Sequence, residues 1–320
     1  MPNTFPSLDE FAQLPHAVSL LGMSGVGKTM LSTQLRRDSN WFHYSADYRI
    51  GTGYLAEHII DNIKFRIMRT DAFVADLLRS DSIYINHNIS VDNLDPVSTY
   101  LGMFGDPATG GLNKATFLER QQQYRSAEIN SMQDVPRFME KAWRIYECKD
   151  FINDASGSLC EIVDLSDPND PVISALTGST MILYIRANAA GEDALKERAQ
   201  SDPKPLFYYP DFIERHIADE PDDGAGVDSK EFAQRLFPPL LEDRKPRYAE
   251  FAQRYGFEIG VERLLGGDAI TGKIPNADKF ISLLYDVLNE QRDRDEVAKT
   301  NAERYLTVCR ARAKERAANG

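Results

Sequence analysis

Residues 22–29 read Gly22, Met23, Ser24, Gly25, Val26, Gly27, Lys28 and Thr29, which fills every position of the pattern G-x-x-x-x-G-K-[ST]. Each fixed position has a chemical task. Glycines permit backbone angles that a Cβ forbids, so successive N–H groups can turn inward around phosphate oxygens. A helix leaving the loop adds the positive end of its dipole at the same point. Lys28 is then placed to reach the β- and γ-phosphates of a nucleotide, and the Thr29 hydroxyl to complete a Mg²⁺ shell. The plain alternative is a structural turn that happens to contain a lysine.

A phosphate loop of this kind needs carboxylates and cations near it. Mg²⁺ that travels with a nucleotide is held by an acidic residue at a strand end. Asp154 closes the apolar "DFIND" ahead of the small "ASGS" and is the first candidate; Asp164, closing "EIVD", is the second. Periodicity does not choose between two short apolar runs. Asp47 and Arg49 follow the run "WFHYS", and ligands of an open parallel sheet gather at the carboxyl ends of its strands. Asp47 is a candidate to orient or deprotonate an acceptor hydroxyl, and Arg49 to clamp an anionic acceptor group. A surface ion pair is the competing reading. In "LKERAQSDPKPL" Arg198 is a candidate to stabilise charge on a phosphoryl group in transit, with Lys204 nearby. Arg244, Lys245 and Arg247 form a second cationic group, and both groups also read as solvated helix faces.

Other signals are weaker. "GTGYLA" at 51–56 matches G-x-G-x-x-A, but the charged "ADYRI" separates it from the preceding apolar run. A dinucleotide site requires those glycines directly at the strand end, so they are read as a turn beside a substrate cleft. His16, His43, His58, His87 and His216 have no metal-ligand spacing. Neither G-x-S-x-G nor H-E-x-x-H occurs, and an N-K-x-D motif is also absent, which weakens a GTPase reading.

The elements that must position these residues follow from the hydrophobic pattern. "SLDE" at 7–10 fits a capping box opening a short helix. "AVSLL" (17–21) reads as a buried strand leading into the loop, 29–37 as the helix leaving it, and "WFHYS" (41–45) as a second strand. Residues 54–149 read mostly as helix, interrupted by a loop-rich patch from His87 to Lys114. A βαβ crossover needs about a dozen residues, so this stretch is expected to be an insertion. "KDFINDASGS" (149–158) reads as a third strand and "LCEIVDL" (159–165) as strand or helix start. "TMILYIRA" (180–187) and "FEIGVERL" (257–264) supply further strands, "ADEPDDGAGVDS" a loop, and the chain from residue 276 onward helix in two pieces. The expected organisation is a nucleotide-binding core at 1–53 and 150–275, a helical insertion at 54–149 that binds the acceptor, and a C-terminal helical extension at 276–320.

At 320 residues, 42% hydrophobic and 27% charged, the composition is that of a globular protein. A net charge of −12 argues against a broad nucleic-acid surface; the basic "CRARAKERAANG" reads as a solvated helix end. No apolar run has the roughly 20 residues of a membrane span. The opening residues do not have the pattern of a signal peptide, and Cys148, Cys160 and Cys309 have no paired spacing. A cytoplasmic protein with reduced thiols is expected.

Taken in order, "GMSGVGKT", "SADYR", "FINDASGS", "TMILYIRA", "LKERAQSDPKPL" and "RKPRYAEFAQRYG" resemble the small-molecule P-loop kinases, in particular the shikimate kinase and gluconate kinase group. The resemblance implies an α/β fold, the P-loop NTPase three-layer sandwich with a central parallel sheet, here with a large mostly helical insertion and a long C-terminal helix. It implies ATP and Mg²⁺ as cofactors and transfer of the γ-phosphoryl group to a small-molecule acceptor. The chain departs from those families in length, in "ASGS" where they carry a glycine triplet, and in residues 54–149. A regulatory P-loop ATPase or nucleotide switch, meeting a protein partner through the insertion or the C-terminal helix, is the alternative. A nucleotide binder without turnover is the third reading.

Overall fold

The computed structural model describes residues 5–267 and 272–319. Residues 1–4, 268–271 and 320, which belong to the expected core and C-terminal extension, lie outside the described residues. In chain order the elements are α1 (Leu8–Gln13), β1 (Ala17–Leu21), α2 (Lys28–Asp38), β2 (Trp41–Ser45) and α3 (Ala46–Arg49). Then come α4 (Ala56–Thr70), α5 (Ala72–Arg79), α6 (Asp95–Leu101), α7 (Lys114–Gln133), α8 (Val135–Arg144) and β3 (Asp150–Asp154). They are followed by α9 (Pro171–Thr177), β4 (Met181–Arg186), α10 (Ala189–Ser201), α11 (Pro210–Ile217) and α12 (Ser229–Tyr255). The chain closes with β5 (Phe257–Gly260), α13 (Val261–Leu265), α14 (Ala277–Gln291) and α15 (Glu296–Asn319).

The chain divides into two compact units. One comprises Met1–Ser45, Met132–Glu197 and Pro239–Gly320; the other comprises Ala46–Ser131 and Arg198–Pro238. This differs from the expected boundaries at 53/54 and 149/150. The first unit keeps α8 with the sheet, because Phe138 packs on Tyr44 of β2 with centroids 5.1 Å apart. The second takes in the segment at 198–238, remote in sequence from 46–131.

The first unit is built on a five-stranded, all-parallel sheet in the order β2-β3-β1-β4-β5. β1 and β3 are buried at every position, as parallel strands covered on both faces must be. Alternation then sorts side chains between two helical layers. Trp41 meets Phe280 of α14 on one face, while Phe42 and Tyr44 stack on Phe151 and Tyr184 stacks on Tyr248 of α12 on the other. Where the sheet begins, His16 is fully buried, with ring nitrogens 2.9 Å from the Tyr305 hydroxyl and 3.1 Å from the Phe11 carbonyl. A carbonyl only accepts, so Nε2 carries the proton and Nδ1 accepts from Tyr305. The His16 backbone N–H donates to Asp150 at 2.7 Å, so β3, the segment before β1 and α15 are tied at one point. Ser7 and Glu10 form the expected capping box of α1.

In the second unit α4 and α5 pack as a hairpin, and Phe104 packs against Phe117 and Phe232. The Asp106 carboxylate accepts from the backbone N–H groups of Ala108 and Gly226, which hold it below the usual carboxylate range. One local expectation is corrected here. The patch read as loop contains α6, because Pro96 stands in the first turn, where a missing N–H costs no helical bond. The glycines of "GTGYLA", read as a turn, lie in a π-helical turn, Ile50–Tyr54, with Ala56 already opening α4. Added Cβ atoms would meet Val97 at Gly51 and the Arg49 guanidinium at Gly53, both at 2.6 Å, so these glycines are there for packing. No helix among the described residues is long and apolar enough to cross a membrane. Cys148, Cys160 and Cys309 are free thiols.

Candidate functional site

β1 ends at Leu21, and the chain turns at Gly22 with φ +142°, where an added Cβ would stand 2.8 Å from the Ile185 carbonyl oxygen of β4. Gly25 and Gly27 are left-handed, at φ +94° and +95°. Gly27 is the N-cap of α2, and neither a capping side chain nor a first-turn acid covers its opening N–H groups. Those donors and the positive end of an 11-residue helix therefore face the loop, the arrangement that favours an anion. The Lys28 side chain is buried inside the turn, where Nζ donates to the Gly22 carbonyl at 2.5 Å and the Met23 carbonyl at 3.0 Å. Ser24, Gly25 and Thr29 are exposed.

β3 delivers the second component. Leu20 of β1 is in register with Asp154, so the strand-end carboxylate lies one strand from the start of the loop. Asp154 is 6% exposed, and its Oδ2 is 3.5 Å from Nε2 of His43, whose side chain is 1% exposed. Asp164, the second candidate, stands on an exposed turn after a 3₁₀ segment, Leu159–Glu161. There it accepts from the Ser166 hydroxyl and N–H, which lower its pKa. "LCEIVDL" is thus neither strand nor α-helix, and among the two carboxylates only Asp154 ends a strand of the sheet.

The segment after Asp154 is held against the loop. A Cβ on Gly157 would lie 2.8 Å from the Ser24 backbone nitrogen, so only glycine permits that approach. From the other side Arg244 donates to the Gly157 carbonyl at 2.9 Å and to Glu161 at 2.7 Å. The Arg244–Glu161 side chains are 3% and 0% exposed. Burial opposes the guanidinium charge, but the charge and hydrogen bond of Glu161 outweigh it and hold the pKa above its ordinary value. Arg244 is therefore part of the frame of the site. Lys245 pairs instead with Glu192 at 2.9 Å and Arg247 with Asp243 at 2.8 Å.

Beside the loop is a cavity of about 490 Å³ lined by Met23 and Val26, by Arg186 at the end of β4 and Asn188 just after it, and by Lys245 and Pro246 of α12. Its mixed apolar and hydrogen-bonding wall suits a ring with polar edges.

The remaining sequence-derived candidates are carried by the second unit. Asp47 lies on α3 and accepts from the Tyr124 hydroxyl at 3.4 Å. The Arg49 guanidinium covers the Tyr54 ring at 5.0 Å. Arg198 is exposed near the end of α10, and Lys204 pairs with Asp202 at 3.6 Å. Sequence reasoning set His43 aside with the other histidines for want of metal-ligand spacing, and it did not single out Glu161. Alternation along β2 places Trp41, His43 and Ser45 on one face, but nothing local marks the carboxylate that His43 meets on the neighbouring strand.

No protein-family model and no curated protein matches the sequence. Among solved structures, shikimate kinase from Acinetobacter baumannii in complex with shikimate is similar at 12% identity, with 89% of this chain and 98% of that chain covered and a TM-score of 0.34. A superposition so loose bears on neither fold nor function, and the reading below rests on the loop and its surroundings.

Proposed function

We propose that the protein is an ATP- and Mg²⁺-dependent phosphotransferase that acts on a small metabolite. The observation that carries the reading is the Gly22–Thr29 turn closed around Lys28 at the start of α2, with Asp154 ending the adjacent strand. In this reading the loop N–H groups and Lys28 hold the β- and γ-phosphates, and the cavity beside Met23 takes the nucleoside. Mg²⁺ keeps several waters and uses one or two protein oxygens together with phosphate oxygens. One hydroxyl, Thr29, and one strand-end carboxylate, Asp154, fit that donor set. Bound Mg²⁺ would supply neutralisation of the phosphate charge. Asp47 is assigned to the acceptor hydroxyl, Arg49 to an anionic group of the acceptor and Arg198 to the phosphoryl group in transit. The chain's contribution is then positioning and fixed charge, as phosphoryl transfer demands.

The test is to incubate the purified protein with Mg·ATP and fractionated metabolite pools and search for a phosphorylated product. A product that wild type forms and Lys28→Ala does not supports the reading; no product from any pool, with nucleotide bound, refutes it. A second reading, a nucleotide-dependent switch that meets a protein partner, is favoured by large side chains left in water in the second unit. Phe65, Phe73 and Tyr84 are 58%, 72% and 88% exposed. Slow ATP hydrolysis that no small molecule accelerates would select it. A cytoplasmic location and the absence of a nucleic-acid partner belong to both readings.

A further inference from the structure

We infer that His43 is a positioning residue for Asp154: its Nε2–H holds one carboxylate oxygen and so fixes the orientation in which the other meets the metal–nucleotide complex. The inference rests on the phosphate-site reading above. It starts from the register of β2 and β3, in which His43 pairs with Ile152 and Ser45 with Asp154. Residues two apart along a strand share a face, so His43 and Asp154 are diagonal neighbours on one side of the sheet. Nε2 lies 3.5 Å from Oδ2, just beyond hydrogen-bond length.

Two facts separate this from a histidine that merely fills space. Both His43 ring nitrogens are buried without a hydrogen-bond partner. An imidazole with nothing to bond is a poor filler, because burying unpaired polar atoms is unfavourable and an aliphatic side chain would serve better. Nε2 also faces a carboxylate oxygen, which is an acceptor, so a proton on Nε2 is the one that can use the contact. Carboxylates that bind metal are themselves commonly hydrogen-bonded from behind, and loss of such a partner weakens metal binding about 10- to 100-fold.

The experiment measures Mn²⁺, as the probe for the metal, by electron paramagnetic resonance in the presence of a saturating non-hydrolysable ATP analogue. Wild type, His43→Leu, His43→Gln and Asp154→Asn are compared, with melting temperature recorded for each. His43→Leu is expected to weaken Mn²⁺ binding about tenfold or more without lowering the melting temperature, and to bind the metal-free analogue as wild type does. His43→Gln, whose amide N–H can still donate, is expected to stay within about threefold of wild type. Unchanged Mn²⁺ affinity in His43→Leu overturns the inference, as does equal weakening in both His43 variants with lowered melting. Should His43→Leu fail to fold, a long-range ¹H–¹⁵N correlation on wild type decides: an Nε2–H tautomer supports the inference, and Nδ1–H overturns it. A wild type that binds neither analogue nor Mn²⁺, or an Asp154→Asn variant that keeps Mn²⁺ affinity, overturns the phosphate-site reading itself, and the inference with it.

Discussion

Replacing Asp150 by Asn should change the pH dependence of stability in a calculable way. Burial pushes the Asp150 carboxyl from 3.8 up to about 6, against the hydrogen bond from the His16 N–H and the charges of Lys149 and Arg316. Burial also lowers His16 from 6.5 to about 3, helped by the charge of Lys149. Between about pH 4 and 6 the folded chain holds a proton on Asp150 that the unfolded chain has lost, so this group destabilises as pH rises. His16 acts oppositely: the unfolded chain holds the proton, so stability grows with pH over the same range. Each slope is about 1.4 kcal/mol per pH unit, and in the wild type the two nearly cancel. Asn keeps an oxygen to accept the His16 N–H but does not titrate. Asp150→Asn should therefore gain stability over wild type by about 3 kcal/mol as pH rises from about 4 to above 6, and then level off. Urea unfolding followed by tryptophan fluorescence isolates the effect, because Trp41 and Trp143 are the only tryptophans and both lie in the first unit. A wild-type-to-variant difference that stays constant within about 1 kcal/mol from pH 4 to 8 would refute the assignment.

Other perturbations probe the site itself. Gly157→Ala forces a Cβ to 2.8 Å from the Ser24 nitrogen; it should cost about 1–3 kcal/mol and weaken nucleotide binding in titration calorimetry, and unaltered binding would show that this contact does not set the loop. Arg244→Met strands a buried Glu161 and should cost about 3–5 kcal/mol, while Arg244→Met with Glu161→Leu should recover most of that loss. A double variant no more stable than the single one in chemical denaturation would contradict the buried-pair account.

Much of the sheet was legible because buried parallel strands are written as continuous apolar runs, and all five quoted runs contain the observed strands. The loop was legible because its glycines and Lys28 are contiguous. What failed was non-local or composition-driven. The apolar content of "LCEIVDL" suggested regular structure, yet Leu159, Cys160 and Ile162 are buried around a single 3₁₀ turn. α12 runs through Pro238, Pro239 and Pro246, which the usual clash and missing N–H of proline argue against; Leu236, Leu240, Leu241 and Tyr248, all fully buried, hold the helix in place through tertiary contacts. Glu161 and Arg244 are 83 residues apart, and His43 and Asp154 lie on different strands. Pairings of that kind come from topology, and one sequence does not display them.

The central claim is that Lys28 and its loop bind nucleotide phosphates. Calorimetric titration of Mg·ATP into wild type and Lys28→Ala, with circular dichroism confirming that both are folded, tests it most directly. Loss of a charged hydrogen-bond donor to phosphate predicts affinity at least about tenfold weaker in Lys28→Ala. Equal affinity in the two folded proteins, or no binding by wild type, would contradict the account.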